Sequence, residues 1–470
     1  MLNDNLLLLT DSYKVSHAKQ YPANTQNVYS YFESRGGEFD DVVFFGLQYL
    51  LKRYLEGVRV TPSAIKEAEE LYAAHLMPGL FNKEGWMYIA EKHGGKLPVS
   101  ICSVPEGCVI PTHNVLMTVE NTDPNCYWLT NYLETLLVQV WYPSTVSTIS
   151  REMKKIILGA LNRSGDPKLI PFKLHDFGCR GVSTMESAAI GGAAHLVNFM
   201  GTDTVPSLQL LRNYYNAPMG GFSIPAAEHS TMTSWGKEHE VDAYRNMLAQ
   251  FPKGLVAVVS DSWDVYNAVS KIWGNVLRDN VLKRDGTVVI RPDSGDPRKV
   301  VPDLLDLLGK KFDVTTNDKG YKVLDSHVRI IQGDGIDRNS LAGILDSMME
   351  RGWSADNVAF GSGGGLLQQC NRDTLKFAFK CSSAVVNGEE RGVYKQPVTA
   401  PWKNSKKGRL ALVKNIMFET VHGSPWATIN VDDLAPGDYF EFADHLTEVF
   451  RDGKVLCDYT LDDIRERAKA

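Results

Sequence analysis

Between residues 172 and 363 one pattern recurs seven times: a short apolar run stops in polar or glycine-rich residues, and a helical stretch follows. The runs end in FKLHDFG, LVNFMGTDT, FSIPAAEHS, LVAVVSDS, TVVIRPDSG, VRIIQGDG and NVAFGSGGG. Counting from Phe177, the markers Asp203, His229, Asp261, Asp293, Asp334 and Ser362 follow at intervals of 26, 26, 32, 32, 41 and 28 residues. That is the rhythm of strand, loop, helix, strand. Parallel strands joined by helical crossovers place their C-terminal ends on one face, and α/β barrels build their sites there. The sequence therefore predicts an α/β barrel whose run ends converge on one pocket.

The rest of the chain does not share this repeat. Residues 1–150 mix strand-like stretches (NVYSYF, LPVSICSV, CVIPTHNVLMTVE) with helical ones (FFGLQYLLKRYLEG, AIKEAEELYAAHLM). The segment CYWLTNYLETLLVQVWYP is apolar nearly all round, which predicts a core or interface helix. Beyond about residue 375, FKCSSAVV reads as a possible eighth strand, followed by a basic loop, KNSKKGRLALVK. These boundaries divide the chain into 1–167 and 376–470, two parts of one mixed α+β domain, and 168–375, the barrel with the active site.

Within the barrel region two helices are legible in detail. SWDVYNAVSKIWG spaces Val265, Tyr266, Val269, Ile272 and Trp273 on one face, with Ser260, Asp261 or Ser262 as its cap. NSLAGILDSMMERG lines up Leu341, Ile344, Leu345, Met348 and Met349, and Gly352 stands where a helix stops. ESAAIGGAAHLVNF is a small-residue helix suited to very close packing.

Fifty basic and 56 acidic residues leave a formal charge of -6, which argues against a nucleic-acid or anionic-membrane partner. Any anion site is then a local basic cluster. Seven cysteines without a CxxC pair exclude a disulfide framework or zinc motif and fit a reducing cytoplasm. The start, MLNDNLLLLTDSYK, lacks the positive region and the length of a signal peptide, and no run approaches a membrane-spanning length.

Chemistry concentrates at the run ends. GSGGG (Gly361–Gly365) fits a phosphate cradle before a helix N-terminus, a reading its strand-then-helix setting favours over a tight turn. QGDG (Gln332–Gly335) is a weaker case, with Asp334 suited to a ribose hydroxyl. Neither matches a Walker loop or a dinucleotide fingerprint. Arg180, Arg291, Arg372 and Lys380, with Lys403, Lys406, Lys407 and Arg409 beyond, suit a polyphosphate or structural ion pairs. Asp203, Glu228, Asp261, Asp293 and Asp334 suit Mg²⁺, ribose hydroxyls, a histidine partner or helix caps. His229, with Glu228 beside it, reads as a nucleophile toward phosphate, an acid–base group or a packed residue. His175 stands between structure and phosphate contact, and His17 and His195 read as structural. Phe177 belongs to the core or stacks on a flat heterocycle.

TDSYKVSHAKQYP, VYSYFESR, FFGLQY, KLHDFG-RG, NFMGTDTV, PAAEHST, VVSDSWDVYNA, IRPDSGDP, IQGDG, FGSGGGLLQ and SKKGRL run in order from about residue 8 to residue 465. Together they resemble the nicotinamide phosphoribosyltransferase family. The resemblance implies a type II phosphoribosyltransferase fold, an irregular α/β barrel flanked by a mixed α+β domain built from both chain termini. It implies a cytoplasmic homodimer with shared active sites. The implied reaction joins nicotinamide to 5-phosphoribosyl-1-pyrophosphate for NAD salvage, with Mg²⁺ and with ATP hydrolysis coupled through a phosphohistidine.

Carried over residue by residue, the resemblance places nicotinamide between Phe177 and Tyr13 of the other subunit, with Asp203 accepting its carboxamide and Arg180 and Arg291 at the base and phosphate end. Asp293 takes the ribose, and Gly333, Asp334, Gly363 and Gly364, joined by His175 and Ser223, form the ribose–phosphate set. Arg35, Arg372, Lys380 and Lys403 take the phosphates. His229 carries the phosphoryl group, supported by Asp261, with Glu228 and Asp293 completing the catalytic set. Cys179 stands where the family pattern has an aromatic, and Ala378 where it has a serine. Two other readings stay open: a nicotinate phosphoribosyltransferase, and a catalytically silent sensing or signalling protein. Asp203 speaks against the first, because it would repel nicotinate's carboxylate. The full set of cations and carboxylates speaks against the second.

Overall fold

The apolar runs become short parallel strands. They are β1 (Leu174–Asp176), β2 (Gly201–Thr202), β3 (Lys253–Val259), β4 (Asp285–Arg291), β5 (Val328–Gln332) and β6 (Val358–Ser362). Their order is β2-β1-β6-β5-β4-β3, and every pairing is parallel. The third run, FSIPAAEHS, is not a strand. Pro225 has no N–H to give a ladder. The segment still closes the ring by isolated parallel bridges, Phe222 to Gly201 and Ala226 to Ala257. Ala257 donates its amide to Pro225 O at 2.9 Å, and Ala227 donates to Ala257 O at 2.9 Å. The strands are apolar throughout because both of their faces are covered. Ala257, Val289 and Ile331 point inward with Phe177, Ile224 and Ala359 against them. Val256, Val258, Val288, Ile290, Ile330 and Phe360 are buried as well.

The computed structural model describes residues 5–399, 403–414, 424–433 and 443–469. The chain divides into two units: Val146–Arg212 with Pro218–Gln369, which is the barrel, and Met1–Thr145 with Asn213–Ala217 and Cys370–Ala470. The sequence reading set these divisions at 167 and 375 instead. The helix Trp141–Ser164 runs across the first of them. The interval of 41 residues before Asp334 is long because an antiparallel hairpin, Val314–Thr316 with Lys322–Leu324, is inserted there.

Barrel helices follow the expected faces. Leu341, Ile344, Leu345 and Met348 of Arg338–Glu350 are buried, and Gly352 has φ +78° just past the end. In Met185–His195 a Cβ on Gly192 would come within 2.8 Å of Ser207 Cβ, so that helix packs as closely as its small residues allow. The helix starting at Val265 is capped by Asp264, which accepts from the Asn267 amide, and not by Ser260, Asp261 or Ser262. His195 is fully buried and hydrogen-bonds Ser150 Oγ at 3.0 Å.

The other unit is built on a seven-stranded sheet. Its order is 389–392, 377–386, 25–34, 115–121, 99–103, 447–451 and 454–455, antiparallel throughout. Both ends of the chain thus share one sheet, as expected. FKCSSAVV is not an eighth barrel strand. Phe377–Val386 pairs with Thr25–Ser34, with the Phe32 and Phe377 rings stacked at 5.0 Å, and the barrel ring closes without it. The segment CYWLTNYLETLLVQVWYP forms buried helical turns, and Trp128 and Tyr132 pack edge-on against Trp86. Among the described residues no helix is long and apolar enough to cross a membrane.

In this unit the Glu106 carboxylate is buried and accepts the amides of Gly46 (3.1 Å) and Gln48 (2.5 Å). Burial lifts its pKa to about 7, against the pull of those amides and of Arg467. The native carboxyl therefore keeps its proton where the unfolded one has lost it, and stability falls as pH rises from about 4.5 through about 7. Glu106→Gln, which cannot ionise, is expected to flatten this dependence. Urea titrations at pH 5 and pH 8 should show the parent losing up to about 3 kcal/mol more than the variant between the two. Equal losses would mean that another group is responsible.

Candidate active site at the strand ends of the barrel

The loop after β1 carries Phe177, which donates its amide to Ser362 O at 2.9 Å. The ring is half-buried and lies across two glycines. A Cβ on Gly361 would sit 2.0 Å from Phe177 Cε2, and one on Gly333 would sit 3.3 Å from the same atom and 3.6 Å from Asp293 Oδ1. Gly333, just past β5, and Gly361, near the end of β6, thus make room for one aromatic face, and Gly333 joins it to the Asp293 side of the rim. Phe177 packs on the inward core, and part of its surface stays open.

Asp203, after β2, is exposed at the rim. Its amide donates to Asp176 O at 2.9 Å, directly before Phe177. Ser223 Oγ donates a short hydrogen bond to Asp203 Oδ1 and so fixes the carboxylate. Arg180 lies exposed in the turn Cys179–Gly181, where a Cβ on Gly181 would sit 3.4 Å from Gly364 N.

The loops after the closing segment, β3 and β4 converge on His229. Its side chain is 46% exposed, with Nε2 3.4 Å from Asp293 Oδ2 and 3.8 Å from Asp261 Oδ1. Its Nδ1 is 3.2 Å from Ser262 Oγ. Two carboxylates on the Nε2 side favour the proton there, which leaves the Nδ1 lone pair toward the serine. Asp261 is almost wholly buried. Its Oδ2 accepts the Asp293 amide at 3.1 Å and the Ser294 hydroxyl, while Oδ1 is buried with no bonded partner and faces the imidazole. Arg291 Nη2 reaches Asp293 Oδ2 at 3.3 Å. Glu228, the sequence neighbour of His229, is engaged elsewhere: it caps its own short helix and accepts from Ser230 Oγ. Asp261 and Asp293 are therefore the acids beside the histidine.

The loops after β5 and β6 are tied together by Ser362 Oγ, which donates to Ile336 O at 2.7 Å. Asp334 is exposed. Gly364–Leu367 is a single helical turn with Gly363 at its cap. The first amides of a helix have no intrahelical acceptor, and here no side chain covers them.

Inside the ring is a largely apolar cavity of about 320 Å³, lined among others by His175, Phe222, Ser223, Ile224, Val289 and Ile331. His175 points into it, 3.2 Å from Phe172 O. Burial lowers its pKa and favours the neutral ring.

Tyr13, Arg35, Arg372, Lys380 and Lys403 belong to the other unit. Tyr13 is 60% exposed, with the His17 ring edge-to-face against it and the Lys14 ammonium 5.4 Å from its centroid. Lys380 is half-buried, and its pKa is lowered by burial and, opposed by Glu134, by the charges of Arg35, Lys395 and Arg372. Arg35 leans on Glu33 at 2.8 Å, leaving Nη2 buried and unbonded. This is a concentration of like charge of the kind that a polyanion relieves. Lys403 is exposed. Ala378 and Cys179 are both partly or wholly covered.

Sequence reasoning took Ser262 only as a helix-cap candidate and passed over Ser294, although both stand in the quoted SDS and PDSG ends, and Lys395, which no motif marks. The serines carried a signal, since each flanks a predicted site aspartate.

Residues 172–454 match the model of the nicotinate phosphoribosyltransferase (NAPRTase) family, and residues 5–101 match the nicotinamide phosphoribosyltransferase N-terminal domain. A protein named nicotinamide phosphoribosyltransferase from Xanthomonas campestris pv. campestris is 53% identical over 99% of this chain and 98% of its own. One of the same name from Acinetobacter baylyi is 32% identical over 98% of this chain and 97% of its own. Among solved structures, a nicotinate-nucleotide pyrophosphorylase from Pyrococcus furiosus superposes with TM-score 0.62 at 14% identity, covering 100% of this chain and 96% of that one. Human nicotinic acid phosphoribosyltransferase gives 0.56 at 15%, covering 98% and 93%. At such identities these two speak to the fold, an α/β barrel of the type II phosphoribosyltransferase kind.

Gly361→Ala is expected to expel the Phe177 ring from its seat. The cost should be about 2 kcal/mol, typical of overpacking, read from urea denaturation. A variant as stable as the parent would show that the ring is not held there.

Proposed function

The chain belongs to the nicotinate phosphoribosyltransferase family, among its nicotinamide-using relatives, and from that premise we propose how its own residues join nicotinamide to 5-phosphoribosyl-1-pyrophosphate. The products are nicotinamide mononucleotide and pyrophosphate, in NAD salvage. The observation that carries this reading is the Asp203 carboxylate, fixed by Ser223 and hung from the backbone that precedes Phe177. A carboxylate there accepts an N–H of a carboxamide and repels the carboxylate of nicotinate.

The pyridine ring lies on Phe177, with Tyr13 of the second subunit of a homodimer covering its other face. The exposure of Tyr13 supports that arrangement. The pyridine nitrogen attacks the sugar carbon as the bond to pyrophosphate breaks, and the electron pair leaves with the pyrophosphate. An electron-poor ring needs positioning more than it needs a base. The first amides of the GSGGG turn face the 5-phosphate, and Asp293 and Asp334 take ribose hydroxyls. Arg35, Arg372, Lys380 and Lys403 meet phosphate oxygens, and Arg180 and Arg291 stand at the base end. This supplies positive charge where the leaving group becomes negative.

Among the described residues the barrel offers no cluster of three close carboxylate ligands; the one grouping of that size, His93–Asp123–Cys126, lies in the other unit. That fits Mg²⁺ carried mainly by substrate phosphates and water, where it would neutralise charge on the pyrophosphate. ATP enters as a co-substrate. His229 Nδ1 takes its γ-phosphoryl group as the β–γ P–O bond breaks and ADP leaves, water later removes the group as phosphate, and Asp261 and Asp293 hold the imidazole from the Nε2 side. Seven free thiols support a reducing, cytoplasmic setting.

Steady-state assays with nicotinamide and nicotinate, with and without ATP, test the reading. Nicotinamide should be preferred by at least about 100-fold in kcat/KM, and Asp203→Asn should reduce that preference by about tenfold or more. Equal or better use of nicotinate by the parent would refute the assignment. His229→Ala should abolish stimulation by ATP and leave basal transfer. Undiminished stimulation would rule out the phosphohistidine.

A further inference from the structure

We propose that Asp176, which contacts neither substrate nor reacting atoms in this scheme, is the positioning residue of the base slot: its carboxylate ties the segment bearing Phe177 to the segment bearing Asp203. The inference rests on the function proposed above. Asp176 ends β1 and is fully buried. Its neighbours across the ladder are Thr202 on β2 and Ser362 on β6, so it stands between the two strands that frame the slot. Oδ1 accepts the amide of Gly178 at 2.7 Å, immediately after Phe177. The Phe177 amide is held by Ser362 O at 2.9 Å, so the aromatic residue is pinned on both sides.

Oδ2 faces the other segment. The Thr202 hydroxyl approaches it at 3.4 Å, and that same hydroxyl oxygen accepts the Thr204 amide at 3.0 Å. Thr202 and Thr204 bracket Asp203, whose own amide donates to Asp176 O at 2.9 Å. Asp176 thus holds the residue after Phe177 directly, the Asp203 amide through its carbonyl, and the two threonines beside Asp203 directly and through the Thr202 hydroxyl. Burial raises the carboxyl pKa to about 6, opposed by the Thr204 hydroxyl, the Gly178 amide and the Thr202 hydroxyl. A buried carboxyl is costly, and a merely structural acceptor has no need to reach both arms of one slot.

The test compares the full-length parent with Asp176→Ala, Asp176→Asn and Thr202→Val, by KM for each substrate, kcat and thermal midpoint. Asp176→Ala should raise KM for nicotinamide about tenfold or more while KM for 5-phosphoribosyl-1-pyrophosphate stays within about twofold. Asp176→Asn, which keeps an acceptor for Gly178, should recover most of that loss, and Thr202→Val should raise KM for nicotinamide about threefold. If Asp176→Ala does not fold, Thr202→Val decides. An unchanged KM for nicotinamide in folded Asp176→Ala, or in Thr202→Val, overturns the role, as does a parallel rise of both KM values with a fall in midpoint. A parent that fails to turn over nicotinamide overturns the reaction reading and this role with it. A parent that turns it over, with unaffected variants, overturns this role alone.

Discussion

Six short strands and one extended segment share backbone hydrogen bonds around a ring, and every pairing in that ring is parallel. Parallel pairing forces each connection to cross over and return to the same starting end. Seven loops that are far apart in sequence therefore open on one rim. The ring closes although one stave contains Pro225, because isolated bridges to the strands on either side replace a ladder. Without closure, the loop that carries His229 would not be held beside the loops that carry Asp261 and Asp293.

The rim then separates tasks by chemistry. On one arc Gly333, just past β5, and Gly361 of β6 leave out side chains so that the Phe177 ring can lie against backbone. On the other, a histidine, two aspartates, an arginine and two serines are joined by direct contacts. Gly333 links the arcs, since the space a side chain would need there is bordered by both Phe177 and Asp293. An aromatic face and a histidine–carboxylate cluster are thus carried by neighbouring stretches of one wall.

Much of this was legible in the sequence, for physical reasons. Strands covered on both faces give unbroken apolar runs, and runs that end at a solvent-facing rim end in polar residues. The spacing carried the order of the loops, whereas the hairpin that lengthens one interval to 41 residues was not read from it. What failed was non-local. FKCSSAVV has the composition of a strand, but composition does not say which sheet it joins, and it joins Thr25–Ser34. Glu228 adjoins His229 in sequence, yet the start of a helix turns it into a cap, while the histidine's acids come from two other loops. Asp176 was passed over as part of a motif named for its aromatic. Its importance lies in what its buried oxygens face, which only coordinates reveal.

The central claim is that one rim gathers a pyridine ring, a ribose and a phosphate. A crystal structure of the protein with nicotinamide mononucleotide and pyrophosphate addresses it most directly. The account predicts the pyridine ring stacked on Phe177, its carboxamide nitrogen within hydrogen-bonding distance of Asp203, and the 5-phosphate at the amides of Gly363 and Gly364. A nucleotide bound away from Phe177, or with its phosphate far from that glycine turn, would contradict it.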